Sequence, residues 1–449
     1  MKLEIRDFIR ACRPDAKLDI TNPRDKKYYI NFSSVRGGDI IKQMFDYITD
    51  HYDKPTYQLF TGHIGCGKST ELLRLKALLI QEGYHVVYFE AKDDLEMRDL
   101  ELTDILLAIA VQVDKSLENL EVKLSKSRFK VLYNEVVDFF NRDVQIFSIK
   151  LPKNPVVEEV SVKDGEFSIS TMFGGITANT KASKKFRDYV RQYWEPRASN
   201  IIEAINQDLL DPAVNGLKVQ GKNGLVVIVD STDMIDPAVI KSGKPQPEYL
   251  FVDQYSQFKR LNCHIIYAIP LSLRFSDSYF SVLKLNFENY LLPMVPVKNK
   301  DSSLNTEGMD LMRQMVLARA FPDEDLPDSS KIFDTAETFD KICLYSGGHA
   351  RNMLRLIIDC LKKNRNLPIA DKTVDAVLTK WRSELDSVID SDEWKLLKEI
   401  SETKKVKNDS KYQTFIKHLF VFGYEEDNEP WYDVNPLIKD LIVKNRREV

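Results

Sequence analysis

Gly62-His63-Ile64-Gly65-Cys66-Gly67-Lys68-Ser69, followed by Thr70, is the stretch of this chain best fitted to chemistry. It satisfies G-x-x-x-x-G-K-[ST], and each position has a physical task. Glycines let consecutive backbone N–H groups turn inward around phosphate oxygens. A helix starting at the lysine would point its positive end at the same phosphates. Lys68 would reach the β- and γ-phosphates of a nucleotide, and the Ser69 hydroxyl would coordinate Mg²⁺. The reading takes residues 62–70 as the nucleotide contact, with ATP and Mg²⁺ as the ligands.

Such a loop needs an acid at the end of a nearby strand to hold the metal's water shell. "LVVIVD" supplies one, five apolar residues ending in Asp230. Ser69 and Asp230 are therefore the expected metal-side groups. Many phosphate-loop ATPases place Glu directly after this Asp to orient the attacking water; here Ser231 stands in that position. A serine accepts a proton poorly at neutral pH. Asp233 substitutes, or another carboxylate does, or hydrolysis is slow.

Further candidates lie downstream. "AIPLSLR" places Ser272 and Arg274 just after an apolar strand, where they could face phosphate. In "SGGHARNMLRL", Gly347-Gly348 break the chain, Arg351 falls in the first turn of a helix, and Arg355 lies one turn on along the same face. A cation so placed can stabilise γ-phosphate charge and couple a helical lid to the nucleotide. Lys404, Lys405, Lys407, Lys411 and Lys417 precede a hairpin pattern and could face nucleic-acid phosphate, although the tip "YEEDNE" is acidic.

These residues need elements to hold them. "TYQLF" (56–60), "HVVYFEA" (85–91), "LVVIVD" and "NCHIIYAIP" read as strands, with helical spacing at 40–52, after the glycine loop, and over "LTDILLAIAVQVDKSLENL". That alternation predicts an α/β fold, a parallel sheet covered by helices. The expected organisation is an N-terminal segment 1–40, a phosphate-loop domain 41–295, a helical lid 296–365 and a winged helix 366–449. Within 1–40, "DKKYYINFSSVRGGD" reads as loop, short strand and turn. Within 41–295, polar–apolar alternation and "DG" and "GG" turn signals predict a β insertion over 141–182.

Bulk composition narrows the class. A chain of 449 residues exceeds one core, and a net charge of -4 excludes a uniformly basic polyanion binder. Five scattered cysteines without a CxxC pair argue for reduced thiols in a cytoplasm and against a zinc site. The charged N-terminus is not a signal peptide, and no apolar run approaches about 20 residues, so no membrane contact is expected.

Taken in order, "GHIGCGKST", "VVIVDSTD", "SGGHARNMLRL" and a winged helix resemble the AAA+/STAND branch of ASCE-division P-loop ATPases. "GGHAR" is similar to the sensor-two arginine motif of origin-recognition and loader ATPases. "VVIVDSTDMID" is similar to the "DDLD" strand end of STAND-type bacterial ATPases, departing at Ser231. The resemblance implies a nucleotide-gated switch that forms a homo-oligomer or an effector-protein complex. In bacteria such ATPases often serve defence against phage. Three readings follow: an ATPase switch with Arg351 as its coupling cation, a DNA-handling ATPase whose winged helix docks on duplex, and a nucleotide-binding scaffold without turnover.

Overall fold

The computed structural model describes residues 3–118, 120, 122, 124, 127–143, 169–239, 243–276, 288–407 and 410–445. Five parallel strands form its main sheet: β1 (Tyr57–Gly62), β2 (His85–Glu90), β3 (Leu225–Asp230), β4 (His264–Pro270) and β5 (Glu288–Leu292), in the order β2-β3-β4-β1-β5. β1, β3 and β4 are buried along their whole length. This is why they read as unbroken apolar runs and not as alternation. Side chains still alternate between two cores. Leu59, Val227, Val229, Ile265 and Tyr267 enter one, and Phe60, Val226, Ile228, Ile266 and Ala268 the other. Helices on both faces, Leu102–Leu117 on the first and Ile40–Asp50 and Lys68–Gln81 on the second, complete the three layers. The α/β fold is thus a P-loop NTPase sheet, with one strand between the loop strand β1 and the acid-bearing strand β3.

Past the sheet, Thr306–Ala320, Ala336–Ser346, Ala350–Lys363 and Asp371–Asp386 form a helical lid around Met312, Ile342, Met353, Ile357 and Leu378. Phe8 and Cys12 of the helix Ile5–Ala11, with Phe32 and Val35, are buried in the same core. The N-terminal segment is therefore packed into the lid core at two places, around residues 8–12 and 32–35. Ser391–Thr403 and Ser410–Lys417 then lead into an antiparallel hairpin, β6 (Val421–Glu426) and β7 (Glu429–Val434), and a last helix, Pro436–Asn445. This is the helix–hairpin order of a winged helix.

The hairpin joins two cores. Val421 and Val434 pack with Leu397, Phe415 and Ile438, whereas Phe422, Tyr424 and Trp431 pack with Phe60, Leu292 and Met294 beneath the main sheet. Gly347-Gly348 make the break between lid helices. Gly348 has φ +71°, and a Cβ there would lie 1.7 Å from the Val295 carbonyl oxygen, so no other residue fits.

Two local expectations are corrected. The proposed β insertion over 141–182 is helical where it is described: the helix Ser127–Asp143 runs into it and Ile169–Ala182 leads out. Residues 144–168 lie outside the described residues. Phe173 and Ile176 reach the sheet-side core, and that burial outweighs the low helix propensity of "ISTMFGGITANT". "DKKYYINFSSVRGGD" holds no strand but a short helix, Pro23–Tyr28, and a 3₁₀ turn, Ser33–Val35.

Candidate functional site

The glycine loop leaves β1 and enters the helix Lys68–Gln81, whose first residue is preceded by Gly67 at φ +111° with no side-chain cap. Gly65 has φ +90°. Left-handed glycines at alternate positions fold consecutive amides toward one side, and an uncapped 14-residue helix adds its own N–H groups and positive end. Each carbonyl from Gly62 to Cys66 meets a donor. Lys68 Nζ donates to Gly62 O at 2.8 Å and His63 O at 2.9 Å. His349 Nε2 meets Ile64 O at 2.8 Å, the Arg351 amide donates to Gly65 O at 3.2 Å, and Arg36 Nη2 donates to Cys66 O at 2.9 Å. Pinned carbonyls hold the amide side in the form of an anion nest.

Three of those donors come from outside the sheet unit. His349 caps the lid helix Ala350–Lys363: its Nδ1 accepts from the Asn352 amide at 3.1 Å, so Nε2 carries the proton given to Ile64 O. Burial pushes the His349 pKa down to about 4, which keeps this neutral tautomer. His63, within the loop, uses Nε2 to accept the Gly423 amide of β6 at 2.8 Å. Burial likewise holds its pKa well below the ordinary value. Phe422 stacks on His349 with centroids 5.8 Å apart and meets the His63 ring edge-on at 5.9 Å. The Tyr424 hydroxyl donates to Gly347 O at 2.8 Å. Lid and hairpin thus grip the loop together.

The sheet side carries the charge. Lys68 Nζ lies 2.8 Å from Asp233 Oδ2, and both side chains are buried. Burial alone would lower the lysine's pKa, but the carboxylates, Asp233 foremost, raise it. Asp230 is buried at the end of β3, accepting the Tyr88 hydroxyl and the Ser231 amide, each at 2.6 Å. Ser231 has φ +66°, a left-handed corner that swings Thr232 and Asp233 back toward the loop. Ser69 is half-buried in the first helical turn, and the Thr70 hydroxyl accepts the Leu18 amide at 3.3 Å.

The structure therefore brings Lys68, Asp230 and Asp233 into one buried set, and Arg351 to the loop through its backbone amide, with its Nε on Pro14 O at 3.4 Å. Arg355 does not join them; it lies over the Trp381 ring at 5.1 Å. Arg274 acts instead on the hairpin residue Glu425, partly offsetting the rise that burial gives that carboxyl. The basic stretch is partly taken up internally: Lys404 pairs with Asp433 at 2.7 Å and Lys407 with Glu399 at 2.6 Å.

Sequence reasoning missed Arg36, His349 as a loop contact, Phe422 and Glu90. Glu90 ends β2 directly beside Asp230 in the parallel register, and the Ser231 hydroxyl reaches its Oε2 at 3.2 Å. The first acid after an apolar strand was the available signal, the same one that picked out Asp230.

Ser69 and Asp230 offer hard oxygen donors of the kind Mg²⁺ takes alongside substrate phosphates. Among the described residues no cluster of three or more His, Cys, Asp or Glu could hold a metal by itself. No helix of the described residues is long and apolar enough to cross a membrane, and all five cysteines are buried and free.

No protein-family model matches the chain, and no curated protein sequence matches it either. Among solved structures it is similar to the Walker-type ATPase PABY2304 of Pyrococcus abyssi, at 11% identity and TM-score 0.39, with 90% of this chain covering 95% of that one. It is also similar to Cdc6p from Pyrobaculum aerophilum, at 12% identity and TM-score 0.34, with 91% of this chain covering 93% of that one. Strand order and loop geometry, independently of these likenesses, define the sheet.

Proposed function

We propose that this chain is an ATP-binding, slowly hydrolysing molecular switch that controls a protein partner or its own assembly. One observation carries the reading: the loop whose amides would hold phosphate is held by its carbonyls to the lid and through His63 to the hairpin. Any change of loop shape on the amide side is then felt on the carbonyl side. Phosphates would compete with Asp233 for Lys68, freeing that acid. Ser69 and Asp230 would hold Mg²⁺, which when bound neutralises charge on the β- and γ-phosphates. Arg351 would carry the occupancy signal into the lid helix. Defence against phage is the biological setting suggested by analogy alone.

The test is amide hydrogen exchange of the full chain with no nucleotide, with MgADP and with a non-hydrolysable ATP analogue, alongside light scattering. ATP should change exchange in the loop, in Ala350–Lys363 and in β6 together, with a change in mass if the output is assembly. Protection confined to the loop would reduce the protein to a nucleotide-binding scaffold. A mass change seen only with added duplex DNA would move the output to the lysines of 404–417.

A further inference from the structure

The acid that activates water is unaccounted for. Ser231 stands at the position next to Asp230, and Asp233, which faces Lys68 here, is the rival candidate. We propose that Glu90 is the water-activating carboxylate, and that Lys17 withholds it until residues 14–18, the run between the two lid-packed ends of the N-terminal segment, move away. This rests on the switch reading above and deepens it.

The placement is the first argument. β2 and β3 pair in register so that Glu90 sits opposite Asp230, and both project from strand ends on the side where the loop leaves β1. The Ser231 hydroxyl bridges the two strand ends by reaching Glu90 Oε2 at 3.2 Å. A serine there therefore serves as a tether for the neighbouring strand's carboxylate. The Glu90 side chain is only 17% exposed.

The second argument is what surrounds it. Lys17 Nζ forms an ion pair with Glu90 Oε1, and Lys92 Nζ lies 2.9 Å from Oε2. Both carboxylate oxygens are thus occupied, Oε1 by Lys17 and Oε2 by Lys92 and the Ser231 hydroxyl. Lys17 belongs to a run that crosses the site. Pro14 O accepts from Arg351, and the Leu18 amide donates to Thr70 of the loop. A nucleotide that claims Thr70 and Arg351 removes both neighbouring anchors of Lys17.

With Lys17 withdrawn, Oε1 is free to take a proton while Lys92 and Ser231 still hold Oε2. A water oxygen bonds to the γ-phosphorus as its proton passes to Glu90. The bond from that phosphorus to the bridging oxygen breaks with its electron pair on ADP. Glu90 then returns the proton to phosphate or solvent.

The experiment measures ATP affinity and phosphate release for the parent, Glu90→Gln, Asp233→Asn and Lys17→Ala, each assayed well below its own melting temperature. The parent must bind MgATP; if it does not, the switch reading fails first. Glu90→Gln should lose about 100-fold or more in kcat, the usual worth of a general base, while ATP affinity stays within about twofold of the parent. Lys17→Ala should raise kcat several-fold. Should Glu90→Gln turn over like the parent while Asp233→Asn does not, Asp233 is the base and the inference is overturned. It is equally overturned by a protein that binds ATP yet releases no phosphate even as Lys17→Ala.

Discussion

The two sides of the glycine loop are built on different chemistry. On the sheet side, Lys68, Asp230, Asp233 and Glu90 are ionisable groups gathered around the ends of β1, β2 and β3, each held at hydrogen-bond distance, with the Lys68–Asp233 pair and Asp230 buried and Glu90 partly so. On the lid side, apart from the Arg36 guanidinium on Cys66 O, the contacts are neutral: two histidines, a phenylalanine ring and backbone amides. Charge at the first side can respond strongly to an incoming polyanion, because Coulomb energies grow as the dielectric falls. The second side depends more on shape than on charge, since packed rings and direct hydrogen bonds tolerate little displacement. A switch needs both, one side to sense and one to read out.

The largest test of that division is Lys68→Ala. On the sheet side it removes the phosphate-binding cation and leaves Asp233 buried and unpaired. Losing one partner of a buried pair costs about 3–5 kcal/mol, so unfolding by urea should show a clear drop in stability together with loss of ATP binding. The double variant Lys68→Ala/Asp233→Asn should recover most of the stability and none of the binding. Recovery of both would mean that the lysine serves only to neutralise Asp233.

Next is Phe422→Ala, on the lid side. The ring is fully buried between His63 and His349, and emptying such a site costs about 3–4 kcal/mol. Exchange should quicken in β6 and in the loop amides Ile64–Cys66 together. Quickening of the hairpin alone would break the link between loop shape and hairpin docking.

These two sides were unequally legible in the sequence. Lys68, Ser69 and Asp230 stood out because phosphate chemistry demands particular residue types at fixed spacing, and β1, β3 and β4 because full burial writes itself as apolar runs. The clasp left no such trace. His349 and Arg351 touch the loop through a ring nitrogen and a backbone amide, and Gly423 through its amide, so side-chain type predicts little of what they do. Strand β5, "ENYLL", is half-buried at the sheet edge and carries neither a buried run nor clean alternation. Glu90 was passed over because pairing it with Asp230 requires knowing that β2 lies beside β3, a fact of topology and not of spacing.

A third prediction concerns pH and separates the sides by sign. His349 is neutral when folded, with its pKa pushed down to about 4 by burial, against an ordinary value near 6.5. Above 6.5 both folded and unfolded forms are neutral and the contact is at full strength. As pH falls from 6.5 toward 4 the unfolded chain takes up a proton that the folded one refuses, so stability declines, by on the order of 3 kcal/mol. His264, also lowered to about 4, adds to the same window, so the check is a difference: His349→Gln should flatten the decline relative to the parent. An equal slope in both would show that the lid contact does not depend on the neutral ring.

The smallest expected effect sharpens the comparison within one helix. Arg351 and Arg355 lie a turn apart, and on spacing alone either could serve the nucleotide. The fold separates them: Arg351 meets the loop and the N-terminal run, whereas Arg355 is exposed and rests on Trp381. A cation over an aromatic face at an exposed site is worth about 0.5–1 kcal/mol. Arg355→Ala should cost that much stability and leave both ATP affinity and the ATP-induced protease pattern unchanged. Arg351→Ala should keep its backbone bond to Gly65 and most of its stability, yet lose the ATP-induced pattern. If the two variants behave alike, the lid helix reads occupancy through its backbone alone, and the coupling passes entirely through the carbonyl face of the loop.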